Sequence, residues 1–121
     1  MNIKTNLANK GNYGSFRPTS DIKYIVIHYT ANDGDTDESN GKYFHNNVVE
    51  TSAHYFVDDD SITQTVPDNY TAWHCGAKKY KHASCRNAKS IGIEGGNYHT
   101  FRPTVGKIFL EKFGNFLGVK Y

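Results

Sequence analysis

The sequence lacks any apolar run long enough to cross a membrane or to form the core of a secretion signal. We therefore expect no membrane partner and a chain that is made in the cytoplasm without a signal peptide. The length of 121 residues is also too small for two ordinary domains. We predict one globular domain.

Cysteine is scarce, because only Cys75 and Cys85 are present. Two cysteines exclude the multiply bridged framework of a small secreted domain, and their spacing is not that of a zinc knuckle. Their separation permits one bridge. We nevertheless predict reduced thiols in a protein made in the cytoplasm.

A strong excess of one charge is also absent, since the formal net charge is only +2. One basic cluster stands out and comprises Lys78, Lys79, Lys81, Arg86 and Lys89. Such a cluster can attract a polyanion, but a solvated loop is the preferred interpretation. We predict no nucleic-acid partner.

A short run of apolar, mostly β-branched or aromatic residues over positions 24–31 contains a histidine near its end. The run lies between polar residues and predicts a strand buried on both faces. His28 would then lie at the rim, the edge of the sheet where strands end and open α/β folds bind ligands. A single histidine in this position is more often structural, so its role depends on other residues.

A second short apolar run, over positions 90–96, contains a carboxylate near its end. Two such strands would bring His28 and Glu94 to the same rim. A neutral imidazole is a good zinc ligand, and a carboxylate beside the metal can move a proton from water to a leaving amine. A simple His–Glu ion pair or two unrelated rim residues would fit the same spacing.

The remaining pattern predicts the elements around these strands. Residues 1–21 have no sustained periodicity, which predicts an extended lead-in segment that wraps onto the domain. A helix is predicted over residues 37–47, and residues 52–58 and 62–66 predict a β-hairpin whose second strand is half exposed. The inward stripe of the helix is predicted to contain Tyr43, Phe44, Val48 and Val49.

An amphipathic pattern at the end of the sequence predicts a further helix within residues 104–119. Its apolar positions run from Val105 to Leu117. The predicted organisation is therefore a single domain with the lead-in at 1–21, a motif-bearing core at 22–96 and this C-terminal helix.

Four segments in order, at positions 25–31, 52–58, 71–76 and 87–94, resemble the motifs of the type 2 N-acetylmuramoyl-L-alanine amidases. That family includes phage endolysins, bacterial autolysins and, more remotely, peptidoglycan recognition proteins. The resemblance implies an α/β fold in which helices flank a central mixed β-sheet. It also implies a zinc cofactor, peptidoglycan as the partner, and cleavage of the amide between N-acetylmuramic acid and L-alanine.

The resemblance also implies roles for individual residues. His28 matches the first zinc ligand, and Glu94 matches the carboxylate that serves as general base. His54 matches a histidine of the hairpin motif, for which we predict a structural role beneath the site. The positions that match the border of the substrate groove are Tyr29, Trp73 and His74.

The sequence departs from the family after Glu94, where the segment that carries the second and third zinc ligands is not found. Three alternatives remain open. His99 could replace a ligand, with Cys75, His54 or His74 as a third. The chain could be a C-terminally shortened form that keeps the fold with an empty zinc site. A second copy or a separate polypeptide could supply the missing ligands at an open sheet edge, and a second copy would make the protein a homo-oligomer.

Two functions therefore compete. The first is a zinc-dependent amidase of the endolysin or autolysin type that acts on the cell wall after release. The second is a catalytically silent peptidoglycan-binding domain with an incomplete zinc site.

Overall fold

Seven strands and one α-helix form the regular structure in the computed structural model, which describes residues 3–29, 36–58, 61–75 and 85–95. The helix α1 spans Asp37–Asn46. The strands are β1 (Ile3–Thr5), β2 (Tyr13–Phe16), β3 (Tyr24–Tyr29), β4 (Tyr55–Val57), β5 (Ile62–Gln64), β6 (Tyr70–Ala72) and β7 (Ser90–Gly95). Single turns of 3-10 helix cover Lys10–Asn12, Thr19–Asp21 and Asn87–Lys89.

Five strands form a mixed sheet in the order β1-β5-β4-β7-β3. The strands β3, β7 and β4 run parallel, whereas β5 is antiparallel to β4 and parallel to β1. In the register of these strands His28 lies opposite Glu94, and Glu94 lies opposite Phe56. The predicted α/β class with a central mixed sheet is confirmed.

The two faces of the sheet have different partners. Alternate residues of β7 point to opposite faces, so Ile91 and Ile93 share one face while Gly92 and Glu94 share the other. The helix α1 covers the second face, where the Phe44 ring stacks on the ring of Phe56 with centroids 5.2 Å apart. The first face carries the apolar cluster Ile22, Tyr55, Val57, Ile62, Ile91 and Ile93.

The start of α1 is tied to the β4–β5 hairpin by a buried carboxylate. Thr36 and Ser39 form a reciprocal capping box, which satisfies the first backbone donors of the helix. The Asp37 carboxylate accepts hydrogen bonds from the hydroxyls of Ser61 and Thr63. Asp58 in turn accepts a hydrogen bond of 3.0 Å from the backbone N–H of Asp37. These bonds fix where the helix crosses the sheet.

The lead-in is more structured than predicted. It supplies β1, which pairs with β5, and β2, which pairs with β6 in a separate two-stranded antiparallel sheet. Strands of three or four residues are too short to show a period, which explains why the sequence pattern missed them.

Three details of the sequence interpretation are wrong. The strand β3 is not buried on both faces, because Ile27 is 51% exposed and β3 is an edge strand within the described residues. The helix ends at Asn46, so Val48 and Val49 lie beyond it, and of its predicted inward stripe Tyr43 is 45% exposed. The strand β5 is not half exposed, because its polar Thr63 is buried against Asp37.

The predicted hairpin and the predicted start of α1 are confirmed. The C-terminal helix predicted within residues 104–119, together with His99, lies outside the described residues. Within the described ranges no helix combines the length and the hydropathy that a membrane crossing requires.

Candidate active site

His28 and Glu94 lie side by side at the rim, because β3 and β7 are parallel neighbours with these two residues in register. Both side chains are half-buried. Burial lowers the pKa of His28, which favours the neutral imidazole. Burial raises the pKa of Glu94, so this carboxyl holds a proton more firmly than an exposed glutamate. The pair combines a neutral nitrogen base with a proton-accepting carboxylate.

His74 contacts His28 from a segment that follows the smaller, two-stranded sheet. It follows β6, and its backbone N–H donates to the side-chain oxygen of Asn87 over 3.1 Å. The imidazole lies directly on the backbone of β7, where a Cβ at Gly92 would be 2.6 Å from His74 Cγ. Its Nδ1 is 3.0 Å from His28 Nε2, with the two rings edge to face.

The hydrogen bonds around His74 define which ring nitrogens carry protons. The Ser90 hydroxyl donates to the Arg86 carbonyl over 2.8 Å, so it accepts from Nε2 of His74 over 3.0 Å. Burial, together with neighbouring basic groups, lowers the pKa of His74 to about 3, which keeps this ring neutral. The Nδ1 lone pair of His74 then accepts from Nε2–H of His28. This leaves Nδ1 as the unprotonated nitrogen of neutral His28.

His54 lies beneath these residues and is fully buried. Its Nδ1 accepts a hydrogen bond of 3.1 Å from the Gly92 backbone, and its Nε2 donates to the Tyr70 carbonyl over 2.9 Å. Burial lowers its pKa to about 3. The Arg17 guanidinium is 3.1 Å from the same Nε2 and is itself buried. The contacts of His54 are thus those of a packing residue below the site.

Trp73 and Tyr29 are the other two residues that the sequence predicts at the site. The backbone of Trp73 is bonded to Ser52 in both directions, with N–O distances of 3.0 and 2.9 Å. Its indole lies against β2, where a Cβ at Gly14 would be 2.9 Å from Nε1. Tyr29 is the last residue of β3 and pairs in register with Gly95.

The sequence interpretation missed the contact of His74 with His28, since it placed His74 in the substrate groove. One observation in the sequence could have revealed it. Gly92 stands between two isoleucines of a buried strand and on the same face as Glu94. A glycine at such a position often marks a close approach by another group.

Two places in the described residues offer ligands to a metal ion, the start of α1 and the rim at His28. The one group of three potential ligands found in the described residues is Asp37, Glu38 and Asp58, at the start of α1 rather than beside His28. Asp37 and Asp58 already accept several hydrogen bonds, and Lys4 pairs with Glu38. His28, a neutral imidazole with an unprotonated nitrogen at a rim, suits zinc better than this acidic group does.

Comparison with solved structures defines the class of fold. The catalytic domain of XlyA superposes with a TM-score of 0.74 at 26% identity, covering 99% of this chain and 80% of that one. PlyL gives the same TM-score and identity and is covered to 77%. The chain has the α/β fold of these two structures.

The chain belongs to the N-acetylmuramoyl-L-alanine amidase family, whose model matches residues 18–107. The amidase CwlA of Bacillus subtilis (strain 168) is 38% identical over 95 residues, which cover 78% of this chain and 34% of CwlA. The amidase XlyB of the same organism is 37% identical over 93 residues, covering 76% of this chain and 28% of XlyB. The chain thus spans about a third of the length of these relatives.

Proposed function

We propose that the chain is a zinc-dependent peptidoglycan hydrolase that cleaves the amide between N-acetylmuramic acid and L-alanine. Family membership and the relatives named as amidases support this reaction. The observation that carries the proposal is the placement of His28 and Glu94 in register on adjacent parallel strands, with His74 bonded to His28.

His28 is the residue that would hold zinc from this part of the chain. Its Nε2–H is directed to His74, so Nδ1 is the nitrogen available to a metal. When bound, zinc supplies Lewis acidity that polarises a carbonyl and lowers the pKa of water. His74 and Ser90 hold the imidazole in one orientation and one tautomer.

Glu94 is the proton carrier in this proposal. Burial raises its pKa, so the carboxylate takes a proton from the attacking water more readily than an exposed glutamate would. The same carboxyl then gives the proton to the amine nitrogen of L-alanine as the C–N bond breaks. Its position beside His28 keeps both steps within one small region of the rim.

Tyr29 and Trp73 are proposed to border the groove for glycan or stem peptide. Tyr29 follows His28 directly on β3, and Trp73 precedes His74. An aromatic side chain at such a border offers an apolar surface to a sugar ring together with a polar group. We propose that His74 acts on His28 rather than on the substrate.

A silent peptidoglycan-binding domain is the second candidate. One observation favours it, because no group of three ligands that includes His28 occurs in the described residues. A catalytic zinc ordinarily has three protein ligands and one open position. A domain that holds no zinc would bind walls without cleaving them.

One experiment separates the two candidates. Purified cell walls are incubated with the zinc-loaded chain, and released free amino groups and reducing ends are both measured. An amidase releases amino groups without reducing ends, and Glu94→Gln lowers the rate by roughly 10²–10⁴-fold. Glu50→Gln, at an exposed glutamate, is the matched control.

Wall binding is measured by co-sedimentation in the same samples. If the wild-type chain sediments with walls but releases no amino groups, the silent binding domain is the correct function. If Glu94→Gln is as active as Glu50→Gln, the assignment of the proton carrier is wrong.

A further inference from the structure

The two cysteines of the chain lie on adjoining segments beside the candidate active site. Both thiols are free and half-buried. Cys85 directly precedes Arg86, whose carbonyl accepts from the same Ser90 hydroxyl that lies 3.6 Å from the Cys75 sulfur. Burial, together with the neighbouring Cys75, raises the pKa of Cys85. Cys75 directly follows His74, and its sulfur is 3.4 Å from Nδ1 of that residue. Two neighbouring cysteines therefore lie close to the imidazole that is bonded to His28.

The backbone around both cysteines is held by the same few groups. The side-chain oxygen of Asn87 accepts from the backbone N–H of Cys75 over 2.8 Å. The Asn87 carbonyl accepts from the buried Arg17 over 3.0 Å, which anchors this side of the contact. Ser90 links the two segments, because its hydroxyl donates to the Arg86 carbonyl and lies 3.6 Å from the Cys75 sulfur.

These bonds hold the segment that carries Cys75 beside the segment that carries Cys85. The segment before residue 76 follows β6, and the segment after residue 84 leads through a 3-10 turn into β7. A disulfide joins cysteines whose Cα atoms lie roughly 4.4–6.8 Å apart, so two segments held side by side are a suitable place for one. The sequence alone favoured reduced thiols, and the placement of both cysteines on adjoining segments is what changes that interpretation.

We propose that Cys75 and Cys85 are a redox-sensitive pair that forms an intramolecular disulfide when the chain meets a low-molecular-weight disulfide. One cysteine loses its proton and attacks the oxidant, forming a mixed disulfide and releasing one thiol. The second cysteine loses its proton and displaces the other thiol of the oxidant. One S–S bond forms in the protein, and the oxidant is reduced by two electrons to two thiols.

The bridge would act on the chain in two ways. It closes the loop between residues 75 and 85, which removes conformational freedom from the unfolded chain. In the reduced form, the S–H of Cys75 and the Nε2–H of His28 are both close enough to donate to Nδ1 of His74. The bridge removes the S–H and leaves His28 as the donor. Neither effect depends on the amidase reaction, so this proposal stands or fails separately from the proposed function.

The test uses the full chain, incubated with glutathione disulfide and then freed of it. We expect the two titratable thiols to fall to none, the mass to drop by about 2 Da, and the chain to remain monomeric on a non-reducing gel. The melting temperature should rise by about 5–10 °C and return after treatment with a reductant.

Two single variants are the controls. Cys75→Ser and Cys85→Ser remove one partner each, so each should gain one glutathione adduct and show no such rise in melting temperature. The proposal is overturned if wild-type chain keeps two free thiols or carries two glutathione adducts. It is equally overturned if the bridge forms only between two chains.

Discussion

The Nε2 atom of His28 lies 3.0 Å from Nδ1 of His74, although the two residues are 46 positions apart. This contact connects the rim of the five-stranded sheet to the segment that follows the small β2–β6 sheet. It also means that the orientation of His28 depends on residues outside its own strand. The first two predictions concern this dependence.

Replacing His74 by phenylalanine should weaken zinc binding at His28. The ring shape is kept but the acceptor for His28 Nε2–H is lost, and removing such an outer partner typically costs 10–100-fold in metal affinity. Competition with a coloured zinc chelator measures the affinity directly. His45→Phe, at an exposed position of α1, is the matched control. Equal affinities in the two variants would contradict the proposed dependence.

Gly92→Ala should disrupt the same contact by steric means. A Cβ there would be 2.6 Å from His74 Cγ, and this ring cannot move away without leaving His28. We expect a loss of about 1–3 kcal/mol in the free energy of unfolding. Urea unfolding measures it.

Gly11→Ala is the control for that substitution. The nearest atom to its Cβ would be Val48 Cγ1 at 2.9 Å, but Val48 is 60% exposed and its side chain can turn aside. A loss as large in Gly11→Ala as in Gly92→Ala would show that the close packing of His74 is not the cause.

The buried His54 should make stability depend on pH. Its pKa is about 3 in the folded chain against an ordinary value of 6.5, so the unfolded chain binds more protons between these values. Stability contributed by the neutral ring is therefore present above pH 6.5 and is lost as the pH falls. At pH 5 the loss from this group is roughly 2 kcal/mol.

Comparison of variants isolates that contribution from other titrating groups. The change in unfolding free energy between pH 7 and pH 5 should be smaller by this amount in His54→Gln than in the wild-type chain. His45→Gln should behave as wild type. An unchanged pH dependence in His54→Gln would show that His54 is protonated in the folded chain.

Asp37→Ala should destabilise the chain by about 2–4 kcal/mol, because it leaves the buried hydroxyl of Thr63 without its acceptor and removes the stronger of the bonds made by Ser61. Lys4→Ala removes the exposed ion pair with Glu38 and a longer contact of 3.6 Å with Asp37, and because Lys4 itself is exposed this should cost under about 1 kcal/mol. Thermal or urea unfolding compares the two. Equal losses would mean that burial of Asp37 has no special effect.

Much of the fold was predictable because its patterns are local. A few consecutive residues are enough to predict each of three elements, namely β3, β7 and the start of α1. The juxtaposition of His28 with Glu94 followed from one general rule, that parallel strands end at the same edge of a sheet. The burial of Thr63 could not be predicted in this way. A threonine in an alternating pattern is assigned to the exposed face unless its buried partner, here Asp37, is known.

The position of His74 was harder to predict for a different reason, because Gly92 indicates only that some group approaches the strand and not which one. His74 follows β6, and β6 is placed by pairing Tyr13 with Ala72 in a sheet whose strands are too short to recognise. Only the three-dimensional pairing brings the imidazole over Gly92. Contacts made through such long-range pairing leave no periodic pattern in the sequence.

The parallel pairing of β3 with β7 has a consequence for how the molecule folds. The elements α1, the hairpin and β6 all lie between these strands in the sequence, so His28 and Glu94 are far apart along the chain. Contacts between residues so distant in sequence form slowly, because a long loop must close first. The rim is therefore expected to assemble late in folding, after the local hairpin. A zinc ion bound through His28 would then report that the whole described core has reached its native arrangement.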